Sequence, residues 1–205
     1  MAIFHHTSLA GCRGGCGTSH VTLSGFPFST LLTVRRAVKK VVSDVMVKFA
    51  LQLKANLENI TRLRPVGEDF RWFLKLKCGN CGEVSDKWQY ITLMDSTPLK
   101  GGRGSASMVQ KCKLCSRENS IDILSTSLQP YNAEDSETFK TIVEFECRGL
   151  EPIDFQPQAG FAAEGAETGT PFNEINLQEK DWTDYDEKAQ ESVGIYEVTH
   201  QFKKC

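Results

Sequence analysis

The apolar residues in the last three quarters of the chain recur mainly at every second position. Val47, Phe49, Leu51 and Leu53 open an alternating stretch that runs to Leu57. The same alternation returns from Phe70 to Cys78 and from Phe139 to Cys147. A period of two predicts half-buried β-strands, because successive side chains of a strand point to opposite faces of the sheet. The pattern therefore predicts a mainly β fold for residues 46–205.

Shorter stretches complete this prediction. β-branched and aromatic residues predict further strands at Lys87–Leu93, Ser107–Lys111, Ser120–Ser125 and Val193–Phe202. Residues 149–171 are rich in Gly, Ala and Pro, and we expect a long irregular loop there. Residues 179–191 concentrate acidic side chains around Trp182 and Tyr185, which predicts a solvated face; exposed aromatics among acids can also bind a basic partner.

Two of the alternating stretches end alike. Phe139–Cys147 ends in a cysteine as Phe70–Cys78 does, 69 residues further along, and Leu150 stands where the first stretch is followed by Cys81. The similarity predicts an internal duplication, with pseudo-repeats at about 46–120 and 121–205, in which only the first copy retains a metal site. Cys147 is then expected to be a buried small apolar residue.

Residues 1–45 lack this patterning. They hold five basic side chains against Asp44 alone, a net charge of +4, and we expect them to form a disordered extension. Their basic, Ser- and Thr-containing composition also resembles an organelle transit peptide. A targeting segment and an extension added upstream of the folded protein both remain open.

Charge and composition narrow the function of the remaining 160 residues. They carry 19 basic and 25 acidic side chains, and this net charge of −6 argues against general nucleic-acid binding. No apolar run approaches the roughly 20 residues that a membrane span needs. The absence of a typical signal peptide, together with cysteines that are better explained as metal ligands, predicts a reducing compartment, the cytoplasm.

Two Cys-x-x-Cys pairs, Cys78/Cys81 and Cys112/Cys115, carry the clearest chemistry. Each pair directs two sulfurs into one space, and two such turns facing each other form a tetrahedral cage that suits one Zn²⁺ per chain. No histidine lies in or between the pairs, and four thiolates leave no open coordination position. The sequence therefore predicts a structural Cys₄ zinc site and a protein without catalytic residues.

Several longer stretches support a resemblance to a known family. K-C-G-N-C-G-E at 77–83, K-C-K-L-C-S-R at 111–117 and F-E-C-R-G-L-E-P at 145–152 make residues 46–205 similar to the eukaryotic CXXC-motif-containing zinc-binding protein family. The resemblance implies a soluble, mainly β protein that binds one zinc through Cys78, Cys81, Cys112 and Cys115. No established catalytic activity comes with it. Residues 1–45 lie outside the resemblance, which favours an added extension.

Three functions are compatible with this sequence. The first is a zinc-stabilised binding or adaptor protein, a monomer with protein partners. The second is a thiol-redox or metal-transfer protein that uses the Cys-x-x-Cys pairs, although redox pairs usually stand at a helix N-terminus rather than after a strand. The third is a zinc ribbon that binds nucleic acid through a basic cluster, for which few interleaved aromatics are available; its members are Lys100, Arg103, Lys111, Lys113 and Arg117.

Overall fold

The computed structural model describes residues 46–102 and 104–205, so the predictions for residues 1–45 lie outside the described residues. Alternation produces strands here as expected. The strands are β1 Met46–Glu58, β2 Ile60–Pro65, β3 Trp72–Cys78, β4 Gln89–Ile91, β5 Thr97–Pro98, β6 Ser105–Ala106, β7 Met108–Lys111, β8 Glu118–Leu124, β9 Lys140–Arg148, β10 Leu150–Gln156, β11 Phe161–Gly165, β12 Pro171–Ile175, β13 Trp182–Asp186 and β14 Glu191–Lys204. Two 3₁₀ helices, Ser125–Ser127 and Ala133–Asp135, follow β8. None of the helices in the described part of the chain is long and apolar enough to cross a membrane.

The strands form one large sheet and three small ones, and the mainly β prediction is confirmed. The large sheet has the order β13-β14-β1-β9-β8-β7, two three-stranded sheets have the orders β10-β3-β4 and β12-β11-β2, and β5 pairs with β6. Apolar side chains from these sheets share one core. Trp72 of β3 packs 5.9 Å, ring to ring, from both Phe145 of β9 and Phe155 of β10. Phe70, just before β3, contacts Phe161 of β11 in the same way at 4.9 Å.

The pairings of the second half repeat those of the first. If β1–β4, β7 and β8 are matched in order with β9–β12, β13 and β14, every pairing except β5 with β6 has its counterpart. Thus β3 with β10 matches β11 with β2, and β8 with β9 matches β14 with β1. β1 and β9 pair with each other at the centre of the large sheet. The described chain therefore consists of two halves of equivalent topology; their origin by duplication stays a prediction.

The correspondence expected between Phe70–Cys78 and Phe139–Cys147 is not the one in the structure. β3 lies in a three-stranded sheet, whereas β9 lies in the large sheet and matches β1. Cys147 of β9 pairs with Ile121 of β8. The equivalent pair in the other half is Leu57 of β1 with Ile195 of β14. The expected match was wrong because alternation is common to all these strands and does not distinguish one sheet from another. Cys147 is fully buried, as predicted, and its burial raises the pKa of its thiol to about 12.

Residues 149–171 are not the irregular loop that their composition suggests. They contain β10 and β11, whose Phe155, Phe161 and Ala163 are buried. The small residues are there because packing is close: a Cβ on Gly160 would lie 3.2 Å from the ring of Phe70, and φ is +103° at this glycine. The acidic stretch 179–191 likewise contains a strand, β13, at the edge of the large sheet. Tertiary packing thus outweighs composition in residues 149–171, whereas the acidic stretch presents the predicted solvated face, with Thr183, Asp184 and Tyr185 exposed.

Candidate metal centre

The four predicted ligands meet between two hairpins. Cys78 and Cys81 lie where β3 turns towards β4, and Cys112 and Cys115 lie where β7 turns into β8. Their four Sγ atoms lie within 4.8 Å of one another, with Cys81 Sγ 3.5 Å from Cys112 Sγ and Cys78 Sγ 3.8 Å from Cys115 Sγ. A tetrahedral Zn²⁺ with bonds of about 2.3 Å separates its sulfurs by about 3.8 Å. The cluster fits this ion.

Both Cys-x-x-Cys turns have the same backbone conformation. Gly82 N–H donates to the Cys78 carbonyl at 2.8 Å, and Ser116 N–H donates to the Cys112 carbonyl at 3.0 Å. The residue after the second cysteine has a positive φ in each turn, +80° at Gly82 and +57° at Ser116. Glycine adopts this conformation without a steric penalty, whereas serine does so at a cost. Gly82 therefore completes the first turn without backbone strain.

Hydrogen-bond donors favour the thiolate at two of the four cysteines, Cys78 and Cys115. Burial raises the pKa of Cys78, but backbone hydrogen bonds from Cys81 and Asn80 outweigh it and leave that pKa below its usual value. The Asn80 side chain and the backbone of Arg117 lower the pKa of Cys115 to about 6. Because zinc binds the thiolate and not the thiol, these donors prepare the turns for metal.

Glu83 holds a proton at the second turn. Cys112 Sγ donates to Glu83 Oε2 at 2.7 Å, and the same oxygen accepts the Leu114 N–H at 2.9 Å. A backbone hydrogen bond from Cys115 lowers the pKa of Cys112, but the Glu83 carboxylate and burial raise it more, to about 12. A metal that binds Cys112 must displace this proton, so its affinity should rise with pH.

A contact that sequence reasoning missed supports the first turn. Gly79 N–H donates to the Gly149 carbonyl at 3.0 Å, which joins this turn to the connection between β9 and β10. The Asn119 side chain is wedged beside them: one terminal atom of its amide lies 3.5 Å from Cys78 Sγ, and the other faces the Gly149 carbonyl at 3.2 Å. A Cβ on Gly149, where φ is +73°, would lie 2.3 Å from Asn119 Oδ1. In the sequence, the glycine of C-R-G-L at 147–150 was the signal that could have predicted this close contact.

The basic cluster proposed for nucleic acid is partly neutralised. Lys100 forms an ion pair with Glu118, and Lys113 Nζ lies 3.6 Å from Asp86 Oδ2. Lys111 is exposed on β7, and Arg103 lies outside the described residues. Because two of its cations already have carboxylate partners, the cluster offers less charge to phosphate than its composition suggests.

The second half contains two turns equivalent to the Cys-x-x-Cys turns. Gly169 N–H donates to the Gly165 carbonyl at 2.9 Å, and Gln190 N–H donates to the Asp186 carbonyl at 2.8 Å. Gly169 and Gln190 have φ values of +64° and +56°, matching those at Gly82 and Ser116. The positions of the four cysteines are taken in order by Gly165, Thr168, Asp186 and Ala189.

Hydrogen bonds close this second pair of turns. The Asp186 carboxylate is 1% exposed and accepts bonds from the hydroxyls of Thr168 and Thr170, the latter at 3.0 Å. The backbone N–H of Lys188 donates to it at 2.9 Å. The Thr168 hydroxyl lowers the pKa of Asp186 and outweighs its burial. Each half therefore brings together its own, equivalent pair of hairpins. The first half does so at four cysteines, and the second half through a carboxylate and two hydroxyls.

Comparison with known proteins agrees with the metal chemistry. Residues 50–203 match the family described as "CXXC motif containing zinc binding protein, eukaryotic". A relative of that name from Xenopus laevis is 91% identical over 160 residues, which cover 78% of this chain and 100% of the relative. Its Homo sapiens counterpart is 84% identical with the same coverage.

Two solved structures have the same fold as this chain. The crystal structure of C1orf123 is similar to this chain with a TM-score of 0.76 and 85% sequence identity, covering 77% of this chain and 99% of that one. A hypothetical protein from Plasmodium falciparum has a TM-score of 0.70 at 25% identity and covers 76% of this chain. The fold of this chain is thus shared with both solved structures.

Proposed function

This chain belongs to the eukaryotic CXXC motif containing zinc binding protein family, and we propose that it is a non-enzymatic binding protein whose zinc is structural. The observation that carries the proposal is the second pair of turns. There, Asp186, Thr168 and Thr170 join two equivalent hairpins by hydrogen bonds, without a cysteine. Joining these hairpins is therefore a requirement of the architecture, and in the first half zinc meets it.

The coordination chemistry supports this role. Four thiolates saturate a tetrahedral zinc and leave no position for water or substrate. Backbone N–H groups and the amides of Asn80 and Asn119 face the sulfurs, as expected of a shell that holds its metal tightly. The described residues contain one such shell, so we propose one zinc per chain.

A binding role fits the surface. The chain after residue 45 carries a net charge of −6, and large aromatic side chains remain exposed at Trp88, Tyr90 and Tyr185. Exposed Trp and Tyr are typical of protein interfaces. We propose a monomer that binds other proteins in the cytoplasm, with zinc maintaining the shape of the binding surface.

Hydrogen exchange on zinc-loaded and chelated protein tests the structural role. Chelation should remove amide protection from β3, β4, β7 and β8, because the metal and the local fold stabilise each other. The matched turns near Asp186 provide an internal control, since their protection should survive. Unchanged protection in the first half after complete zinc removal would overturn the structural role.

The second candidate is a thiol-redox or metal-transfer protein. Cys81, Cys112 and Cys115 are partly exposed, and Cys81 Sγ lies 3.5 Å from Cys112 Sγ. These two thiols could join in a disulfide as the disulfide of a partner is reduced to two thiols, or the cluster could pass its metal to a partner. A thiol–disulfide exchange assay with a small disulfide substrate separates the two functions. Fast reduction of the disulfide by zinc-loaded protein, lost on substituting Cys81, favours this candidate; slow exchange favours a structural site.

A further inference from the structure

One edge of a small sheet is open beside the metal centre. β4 pairs with β3 on one side, and no strand of residues 46–102 and 104–205 pairs with its other side. An unpaired strand edge presents backbone N–H and C=O groups that an extended peptide can bind. Proteins use such edges for recognition by strand addition, in which backbone bonds supply affinity and side-chain pockets supply specificity.

Two aromatic side chains stand at alternate positions along this edge. Trp88 and Tyr90 are 36% and 50% exposed on the outer face of the β3–β4 hairpin. Cations hold both rings in place: Lys75 Nζ lies 5.4 Å from the Trp88 ring centroid, and Arg71 Cζ lies 5.0 Å from that of Tyr90. Trp, Tyr and Arg are the residue types that dominate binding energy at protein interfaces.

A pocket of about 210 Å³ opens on the inner side of the same hairpin, between it and β7. Leu76 and Leu150 supply apolar walls, and Gln89 and Gln110 supply amides from the two facing strands. Side chains of an added strand would point alternately towards Trp88 and Tyr90 and towards this pocket. The pocket is large enough for one such side chain.

Three lysines line the pocket against two carboxylates, Glu83 and Asp86, so the lysines left unpaired favour an acidic side chain. Lys87 and Lys111 line it, and neither forms an ion pair with a carboxylate of the described residues. Lys113 also lines it but is 3.6 Å from Asp86. Two unpaired ammonium groups beside amide donors complement a carboxylate.

We propose that the β4 edge and this pocket bind an extended acidic segment of a partner protein, with an Asp or Glu side chain in the pocket. The inference rests on the proposed binding function and names its site. Cys78 lines the pocket from one hairpin and Cys112 from the other. Zinc fixes the separation of these two hairpins, so the segment binds the zinc-loaded protein and is released when the metal is removed.

The proposal is tested by selecting random peptides about ten residues long on the zinc-loaded full chain. The affinities of the selected peptides are then measured. Enriched peptides should combine alternating apolar residues with Asp or Glu. The Lys87→Glu variant should bind them about tenfold more weakly, and Lys111→Gln should weaken them in the same direction. Lys188→Glu, in the equivalent turn of the second half, is the matched control and should bind normally. The zinc content of each variant shows whether the metal centre is intact.

Each outcome of this experiment either supports or overturns the proposed site. Acid-containing peptides that protect β4 amides from exchange, shift Trp88 fluorescence and require zinc support the proposal. Peptides that bind regardless of Lys87 and Lys111 overturn this site but leave a binding function standing. Failure to enrich any peptide overturns both. Binding of a single-stranded oligouridine probe at Trp88 and Tyr90, in place of peptides, overturns the acidic segment in favour of nucleic acid.

Discussion

The four cysteines act as one unit, although each holds its proton differently. The Asn80 side chain lowers the pKa of the Cys115 thiol to about 6, while the Glu83 carboxylate beside Cys112 helps to raise the pKa of that thiol to about 12. Zinc replaces protons on all four, and the removal of any one sulfur opens the shell. The loss of any one ligand should therefore weaken zinc binding, whatever the pKa of that thiol.

Replacing one ligand tests this dependence. Cys112→Ser should lose most of the bound zinc and lower the melting temperature, because a hydroxyl is a poor substitute for a thiolate. Metal analysis of purified protein, with thermal melting, measures both. Cys205→Ser is the control: its thiol is exposed, and it lies outside the cluster. Equal zinc content in the two variants would contradict the assignment of Cys112.

Asp186 joins the two turns of the second half through its carboxylate, which accepts hydrogen bonds from Thr168, Thr170 and the Lys188 N–H. Hydrogen bonds, led by that of the Thr168 hydroxyl, lower the pKa of its carboxyl in the folded state. A group with a depressed folded pKa contributes stability above its unfolded pKa of about 3.9, and that stability is lost as the pH falls through the folded pKa.

Asp186→Asn should accordingly lower the melting temperature by several degrees near neutral pH. It should also weaken the acid destabilisation, because the titrating group is gone. Thermal melts from neutral pH to below about pH 4 on both proteins measure the two effects. Asp184→Asn, an exposed neighbour on β13, provides the control. Parallel pH profiles for wild type and Asp186→Asn would mean that the carboxylate does not titrate with folding.

At the scale of strands, an irregularity in β1 depends on a tyrosine from a distant loop. The pairing of β1 with β14 shifts between Lys54 and Asn56, which leaves Ala55 out of the ladder. The Tyr131 hydroxyl lies 3.3 Å from the Ala55 nitrogen and 3.1 Å from its carbonyl oxygen. The tyrosine thereby supplies an acceptor for the Ala55 N–H, while the Ala55 carbonyl also accepts the Glu137 N–H at 2.8 Å.

Tyr131→Phe should destabilise the protein by about 1–3 kcal/mol, because the buried N–H of Ala55 would lose its acceptor. Equilibrium unfolding in denaturant measures the change in free energy. Tyr185→Phe is the matched control, since that hydroxyl belongs to a side chain that is 53% exposed. A loss no larger than that of the control would show that water or a shifted backbone can replace the hydroxyl.

At the scale of the whole molecule, the two halves offer equivalent sites for joining hairpins. A Cβ added at Gly165 would lie 2.6 Å from Asp186 Oδ2 and 2.7 Å from Thr168 Oγ1. It would thus point into the space that a second set of sulfurs would occupy. This geometry suggests that the difference between the halves is a choice of side chains on one backbone design.

The combined substitution Gly165→Cys, Thr168→Cys, Asp186→Cys and Ala189→Cys should therefore bind a second zinc. Metal analysis should rise from one to two zinc ions per chain, because the turns already have the required backbone conformation. Gly165→Cys with Thr168→Cys alone is the control and should stay at one, since two thiolates do not fill the shell. A quadruple variant that folds with one zinc would show that the turns are not metrically equivalent.

The sequence alone determined the class of fold and the metal ligands. Alternation marks strands wherever one face is buried, as in β1, β3 and β9, and Cys-x-x-Cys spacing fixes the donors within each turn. These signals are local, so they can be read before the chain folds. The Asp186 turns carry no such signal, because Thr, Gly and Asp are ordinary loop residues and only their meeting gives them a role.

Only the tertiary structure decided which strands pair with each other and which strands of the two halves correspond. Alternation is the same in strands of every sheet, so the sequence could not show that β9 corresponds to β1 and not to β3. It also could not show that the Gly- and Ala-rich residues 149–171 form strands, since their small side chains are explained by close packing such as that of Gly160 on Phe70. Pairing depends on long-range burial, which no local pattern encodes.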